Sequence, residues 1–260
     1  MPRRARRNLR RVDVQAKIAS NPVWYHTLEL APDAATPGMF DLRPIVDRLP
    51  WPVVRGKRCL DVGTYDGFLA FEMERRGAAE VVAVDIEDHT RWDWPARTRV
   101  LGPERLAEMV GQRKSLGFDI AKEALGSAVQ RVERSVYDLD PDEDGTFDVV
   151  VCGSLLLHLR DPVRALQAIR GVCSESFVSA EQIDRRLSLL SPRRPAGWFR
   201  GGDRVQWWIP NVAGHRLMVE SAGFRITEGP RRYRVPLGAG HPARRRAGLT
   251  HSAVLAVPDL

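Results

Sequence analysis

The sequence predicts a doubly wound α/β fold: a mostly parallel seven-stranded sheet with helices on both faces and a small N-terminal cap. Three observations carry the prediction. Short apolar, β-branched runs alternate with helix-period segments from residue 58 onward. Two of those runs, RCLDVG and EVVAVDI, have few polar positions, the pattern of strands covered on both faces. The stretch CLDVGTYDGF passes from strand to glycine turn to helix with no spacer.

The elements follow in order. Residues 1–20 form a basic arm, with Arg3, Arg4, Arg6, Arg7, Arg10 and Arg11. Residues 21–56 form a cap; frequent Pro makes it irregular, and its Trp, Tyr and Phe residues want burial. Residues 57–260 hold the main domain. There RCLDVG is the first strand, and DGFLAFEMERRG is a helix that Gly77 stops. Glu80–Ile86 is the second strand, and a helical stretch runs from about Pro103 to Leu125. Arg131–Leu139 and Thr146–Ser154 are the third and fourth strands. Asp161 caps a helix with Pro162 at its first position. SESFVSAEQI is the fifth strand, Asn211 caps a helix ending near Gly223, and FRITEGP and HSAVLAV complete the sheet.

Composition narrows the class. The chain has 260 residues, 43% of them hydrophobic, ample for one sizeable core. No apolar run is long enough to cross a bilayer, and the basic N-terminus precedes no apolar stretch, so the expectation is a cytoplasmic protein without a membrane partner. Cys59, Cys152 and Cys173 are scattered, which suits a reducing compartment and gives neither a disulfide framework nor a metal site. The net charge of +7 gathers in Arg-rich ends, including Arg244, Arg245 and Arg246. Such runs contact phosphate, RNA included, or stay as solvated tails, and the solvated tail is the favoured reading.

Four strand ends carry the candidate chemistry. Asp61, Gly63, Thr64, Tyr65 and Gly67 close the first strand and its turn, Asp85 and Ile86 close the second, Tyr137 and Asp138 the third, and Ser154 the fourth. A turn with few side chains lets a ligand reach backbone N–H groups at a helix start. An acid at the end of the second strand accepts from both ribose hydroxyls. A further acid accepts from an adenine amino group, so the crevice suits adenosine. The turn lacks the middle glycine of G-x-G-x-x-G, and three acids repel a pyrophosphate. A phosphate-free adenosine with a cationic amino-acid tail fits, and S-adenosylmethionine has that chemistry.

LDVGTYDGF, VVAVD, SVYDLD and FDVVVCGSLLLHLRDPVRAL, in that order, resemble a class I S-adenosylmethionine-dependent methyltransferase of the Rossmann-like type. With WYHTLEL, TPGMF and WWIPNVAGHRLMVESAGF, the chain resembles the group related to the tRNA wobble-uridine carboxymethyltransferases over roughly residues 21–235. It departs from that group's Y-H-R-R after strand four, having Leu157, His158, Leu159 and Arg160 there. The lost tyrosine and lost basic residue argue for a plain methyl group over a carboxymethyl group. The D/N-P-P-Y sequence of many nucleobase-amino methylases is also absent.

The expected function is methyl transfer to a small, aromatic or apolar acceptor, with a tRNA wobble-uridine enzyme as the alternative and a non-catalytic adenosine-binding module as the second. His158, past strand four, and His26, in the cap, are the candidate bases. Arg160 is expected to pair with Asp161 or touch substrate, and His215 to lie on a surface helix. Cys152 reads as a small buried residue, and Trp198, Phe199, Trp207 and Trp208 as acceptor lining or a plug at the sheet edge.

Overall fold

The computed structural model describes residues 13–110, 113–201, 205–245 and 247–259. The arginines at 3, 4, 6, 7, 10, 11 and 246 lie outside the described residues. Helix α1 covers residues 13–20. The cap follows with a short hairpin, β1 (Glu29–Ala31) and β2 (Ala34–Ala35). Then come β3 (Arg58–Val62), α2 (Phe68–Arg75), β4 (Glu80–Asp85), α3 (Ala96–Arg99), α4 (Gly102–Val110), α5 (Leu116–Leu125) and β5 (Gln130–Glu133). The second half has α6 (Pro141–Asp144), β6 (Phe147–Gly153), α7 (Pro162–Val172), β7 (Cys173–Gln182) and α8 (Arg185–Leu190). It closes with a hairpin β8 (Gly197–Phe199) and β9 (Trp208–Pro210), then α9 (Val212–Ser221), β10 (Phe224–Val235) and β11 (Leu249–Pro258).

Seven strands make the main sheet in the order β10-β11-β7-β6-β3-β4-β5. Strands β7, β6, β3, β4 and β5 are mutually parallel, and β11 runs against both its neighbours. The chain leaves β3 toward β4 on one side and fills β6 in on the other, so the topological switch lies between β3 and β6. That is where the fold opens a crevice for a ligand.

The sheet is covered on both faces. Helices α7 and α9 pack on one, through Leu166, Ile169 and Val219. Helix α2, helix α5 and the cap pack on the other, where Trp24, Leu28 and Leu30 join Phe71, Phe118 and Val151 in a single cluster. The cap is also laced to the β10–β11 connection by Asp41 N to Pro236 O (3.0 Å) and Gly238 N to Met39 O (2.8 Å). Backbones meet so closely there that only glycine fits. A Cβ on Gly38 would lie 2.2 Å from the His26 carbonyl carbon, and one on Gly238 would lie 2.1 Å from the Gly38 carbonyl oxygen.

Four expectations need correction. The third strand ends at Glu133, not Leu139, because the Ser135 hydroxyl takes the Tyr137 N–H (3.2 Å) and starts a 3-10 turn over Val136–Asp138. The helical stretch 103–125 divides into α4 and α5, and Ser115 N is held by the Glu87 carboxylate (3.0 Å) in between. The last two strands form one long hairpin that reaches well past FRITEGP and HSAVLAV. His215 is fully buried rather than on a surface face, since Gly214, His215 and Val219 form the inner stripe of α9.

Candidate active site

The turn after β3 is built from three left-handed residues: Gly63 (φ 78°), Tyr65 (φ 51°) and Gly67 (φ 92°). A Cβ on Gly67 would fall 2.4 Å from the Phe71 ring, so this position must be glycine. Gly67 offers no side-chain cap to α2, and Asp61 acts in its place by accepting from Ala70 N (3.1 Å). Asp61 is buried, and burial pushes its carboxyl up to about 6. Thr64 is buried beside it.

Asp85 organises the next strand end. Its Oδ2 accepts from Tyr65 N (2.8 Å), and its Oδ1 accepts from Ile86 N (2.8 Å) and from Lys114 Nζ (2.5 Å). The Lys114 ammonium lies 4.0 Å from the Trp92 ring centre and 5.0 Å from that of Tyr65. Burial lowers its pKa. The excursion between β4 and β5 thus closes over this strand end, and Tyr65 OH donates to Val110 O (3.2 Å) at the end of α4.

The cap is fastened to the same turn. Asp66 is fully buried and accepts from Tyr25 N (2.9 Å) and His26 N (2.8 Å), while its Oδ1 meets His26 Nδ1. The Tyr25 ring stacks on Tyr65 with centroids 5.0 Å apart. His26 is therefore an imidazole oriented by a buried carboxylate.

His158 ends the turn Leu156–His158 beyond β6. Its Nδ1 lies 2.7 Å from the Val205 carbonyl oxygen. A carbonyl only accepts, so Nδ1 carries the proton and Nε2 keeps the lone pair. Burial lowers the His158 pKa, which favours this neutral form. Ser154 has φ 54°, and its Oγ lies 3.1 Å from His251 Nε2.

Asp138 is exposed on the 3-10 turn, since β5 ends before it. The Tyr137 hydroxyl donates to Asp93 Oδ2 (2.6 Å) and accepts from Asp161 N (3.1 Å), so it ties α7 to the 92–94 segment. Arg160 belongs to the same junction through its backbone, its N–H on Asp93 Oδ2 (2.9 Å) and its carbonyl accepting from Trp208 Nε1 (3.1 Å). Trp198 and Phe199 face solvent at 52% and 64% exposure, with the Phe199 ring against those of Trp207 and Trp208. Cys152 is buried, beside Glu181.

Asp66, Lys114 and Glu181 were not singled out from the sequence. Asp66 could have been suspected from the D-G pair inside the turn, and Lys114 from being one of only four lysines, with Lys17, Lys57 and Lys122, in an arginine-rich chain. Glu181 lies near the end of β7, whose sequence CSESFVSAEQ is rich in polar residues, so nothing there marks it as a buried acid. Its Oε1 accepts from Leu155 N (3.2 Å) and Leu156 N (3.3 Å), and burial pushes its carboxyl up to about 8. Its Oε2 and His215 Nδ1 have no protein partner, and both residues line a cavity of about 10 Å³, room for about one water.

The donor set suits S-adenosylmethionine: a turn with glycine at positions 63 and 67, and two buried acids at adjacent strand ends. Fold and site together define a class I methyltransferase domain. The profile of the methyltransferase-domain family matches residues 39–228; the chain belongs to that family, and S-adenosylmethionine is its cofactor. It is similar to a ubiquinone biosynthesis O-methyltransferase of Neisseria meningitidis, 30% identical over 115 residues. That match covers 44% of this chain and 39% of the relative, so the chain spans well under half of that relative's length. The fold is similar to the N-terminal domain of EvdMO1 solved with SAH and D-fucose, at a TM-score of 0.54 and 14% identity over 95% of this chain and 97% of that one. It is also similar to 1,6-didemethyltoxoflavin-N1-methyltransferase of Burkholderia thailandensis, at 0.51 and 18% over 84% and 78%. Among the described residues no helix is long and apolar enough to cross a membrane.

Proposed function

We propose that this chain transfers the methyl group of S-adenosylmethionine to a hydroxyl oxygen of a small aromatic or apolar acceptor. The observation that carries the reading is the cap seated on the cofactor turn: Asp66 holds Tyr25 and His26, and Tyr25 stacks on Tyr65. Such a cover suits an enclosed small molecule. The O-methyltransferase relative supports oxygen as the atom modified.

In this reading Asp85 takes the ribose hydroxyls, and Gly63, Thr64 and Gly67 give the backbone approach. Asp61 faces the ammonium of the amino-acid tail, and Ile86 and Ser154 border the base and the methyl end. Asp138 and Tyr137 are left out, one exposed and the other engaged elsewhere. The bound cofactor supplies an electrophilic methyl group on a sulfonium. The protein aligns the acceptor with it and takes the hydroxyl proton. His26, oriented by Asp66, and His158, with its Nε2 lone pair, are the two proton acceptors proposed.

The tRNA wobble-uridine reading rests on the Arg-rich ends, of which Arg244 and Arg245 are exposed. It predicts tRNA binding that weakens steeply with salt and with loss of the N-terminal arginines. The deciding experiment incubates the chain and S-adenosylmethionine with a panel of catechols and hydroxyquinones, or with unmodified tRNA, and follows S-adenosylhomocysteine by mass spectrometry. Turnover with a small hydroxyl compound supports the proposal. Turnover with tRNA alone overturns it in favour of the RNA reading. Cofactor binding with no turnover on any acceptor points to the non-catalytic module.

A further inference from the structure

Asp85 accepts three hydrogen bonds, from Tyr65 N, Ile86 N and Lys114 Nζ. A carboxylate offers about four lone-pair directions. Both ribose hydroxyls together with these three donors would exceed that number, so one donor has to leave. The two N–H groups belong to the backbone of the turn and of the strand end, and the chain holds them in place. Lys114 is the one donor on a flexible stem.

Its surroundings fit an exchangeable cation. The ammonium sits between the faces of Trp92 and Tyr65 with a side-chain exposure of 9%, inside the ribose corner itself. The Glu87 carboxylate is within electrostatic reach of it, and Glu87 is already steadied by Arg131 (2.9 Å) and Ser115 N (3.0 Å). A displaced ammonium therefore has a second acid beside it.

We propose that Lys114 competes with the cofactor's ribose for Asp85, so that cofactor binding drives the ammonium off this carboxylate and Lys114 sets cofactor affinity. The inference rests on Asp85 as the ribose acid.

The test uses the unaltered protein. An amine-acylating reagent labels lysines, and peptide mass spectrometry reads Lys17, Lys57, Lys114 and Lys122 separately, the other three serving as references. Labelling is compared with no addition, with S-adenosylhomocysteine, with adenosine and with methionine. S-adenosylhomocysteine and adenosine are expected to speed Lys114 acylation several-fold, and methionine to leave it unchanged. Slower or unchanged Lys114 labelling at saturating S-adenosylhomocysteine overturns the proposal, because Lys114 would then be a cofactor ligand or a bystander. Calorimetry with S-adenosylhomocysteine adds a second arm. Lys114→Met should tighten binding by about fivefold or more, within the usual range for coupled sites. Weaker binding by Lys114→Met also overturns it. Asp85→Asn separates the two ideas: if it leaves wild-type affinity intact, the ribose assignment has failed, whatever Lys114 does.

Discussion

Replacing Asp66 with Ala should detach the cap from the glycine turn after β3. The Asp66 side chain is 1% exposed and accepts from two backbone N–H groups and one imidazole. Alanine leaves both N–H groups without their acceptor, at about 1–3 kcal/mol each where water cannot reach them. Losing the carboxylate's hydrogen bond to the His26 imidazole adds about 1.5–3 kcal/mol. These costs overlap, so the expected loss is about 3–5 kcal/mol, a large part of a typical domain's about 5–15 kcal/mol. Urea unfolding followed by tryptophan fluorescence measures it. Asp66→Asn keeps one acceptor oxygen and should lose roughly half as much, with its slope against urea unchanged. A loss below about 1 kcal/mol for the alanine variant would refute the reasoning, since it would mean that the Tyr25 and His26 N–H groups find other acceptors at little cost.

Asp85→Ala should weaken S-adenosylhomocysteine binding by about 1–3 kcal/mol in calorimetry, the range for a lost charge-assisted hydrogen bond; an unchanged affinity would move the ribose elsewhere. Glu181 titrates at about 8 in the fold against a reference of 4.5, so the folded state binds the extra proton between those values. Stability should therefore fall as pH rises from about 4.5 to 8 and level off above, with a slope of at most about 1.4 kcal/mol per pH unit, and Glu181→Gln should flatten that limb in urea titrations. A Glu181→Gln curve parallel to wild type would count against the buried neutral acid. His158→Ala and His26→Ala separate the two candidate bases: the true base loses about 10²–10⁴ in kcat while S-adenosylhomocysteine affinity holds. Equal loss of both quantities would mark a structural imidazole.

The sheet was legible because its signals are local. The apolar runs of β3, β4 and β6 and the Asp161–Pro162 helix start can each be read within a few residues, and Asp161 accepts from Arg164 N as that pattern implies. The glycine turn was legible for the same reason. The misread parts are decided at a distance. Ser135 ends β5 early through a side-chain bond that competes with the ladder, and nothing in VERSVYDL tells which side wins. His215 reads as a surface residue from its helix alone, but α9 packs on the sheet and brings its Nε2 to 2.9 Å from Ser179 Oγ on β7. Lys114 lies 29 residues from Asp85, and Asp66 lies 40 from His26, so their pairings follow from how the excursions fold back over the strand ends.

The glycine crossing between cap and hairpin bears on the order in which the molecule is made. Gly38 and Gly238 are apposed backbone to backbone although almost the whole sheet lies between them in the chain. A nascent chain emerging from the ribosome can pair β3, β4, β5, β6 and β7 and complete the glycine turn while the segment around Pro236–Gly240 is still unmade. The cap segment around Gly38–Asp41 thus waits for contacts made near the end of the chain, whereas Tyr25 and His26 can meet Asp66 much earlier. Such long-range closure is slow relative to local pairing. Newborn molecules therefore pass through an interval in which the cap can be held at Asp66 but is not yet laced along the β10–β11 connection.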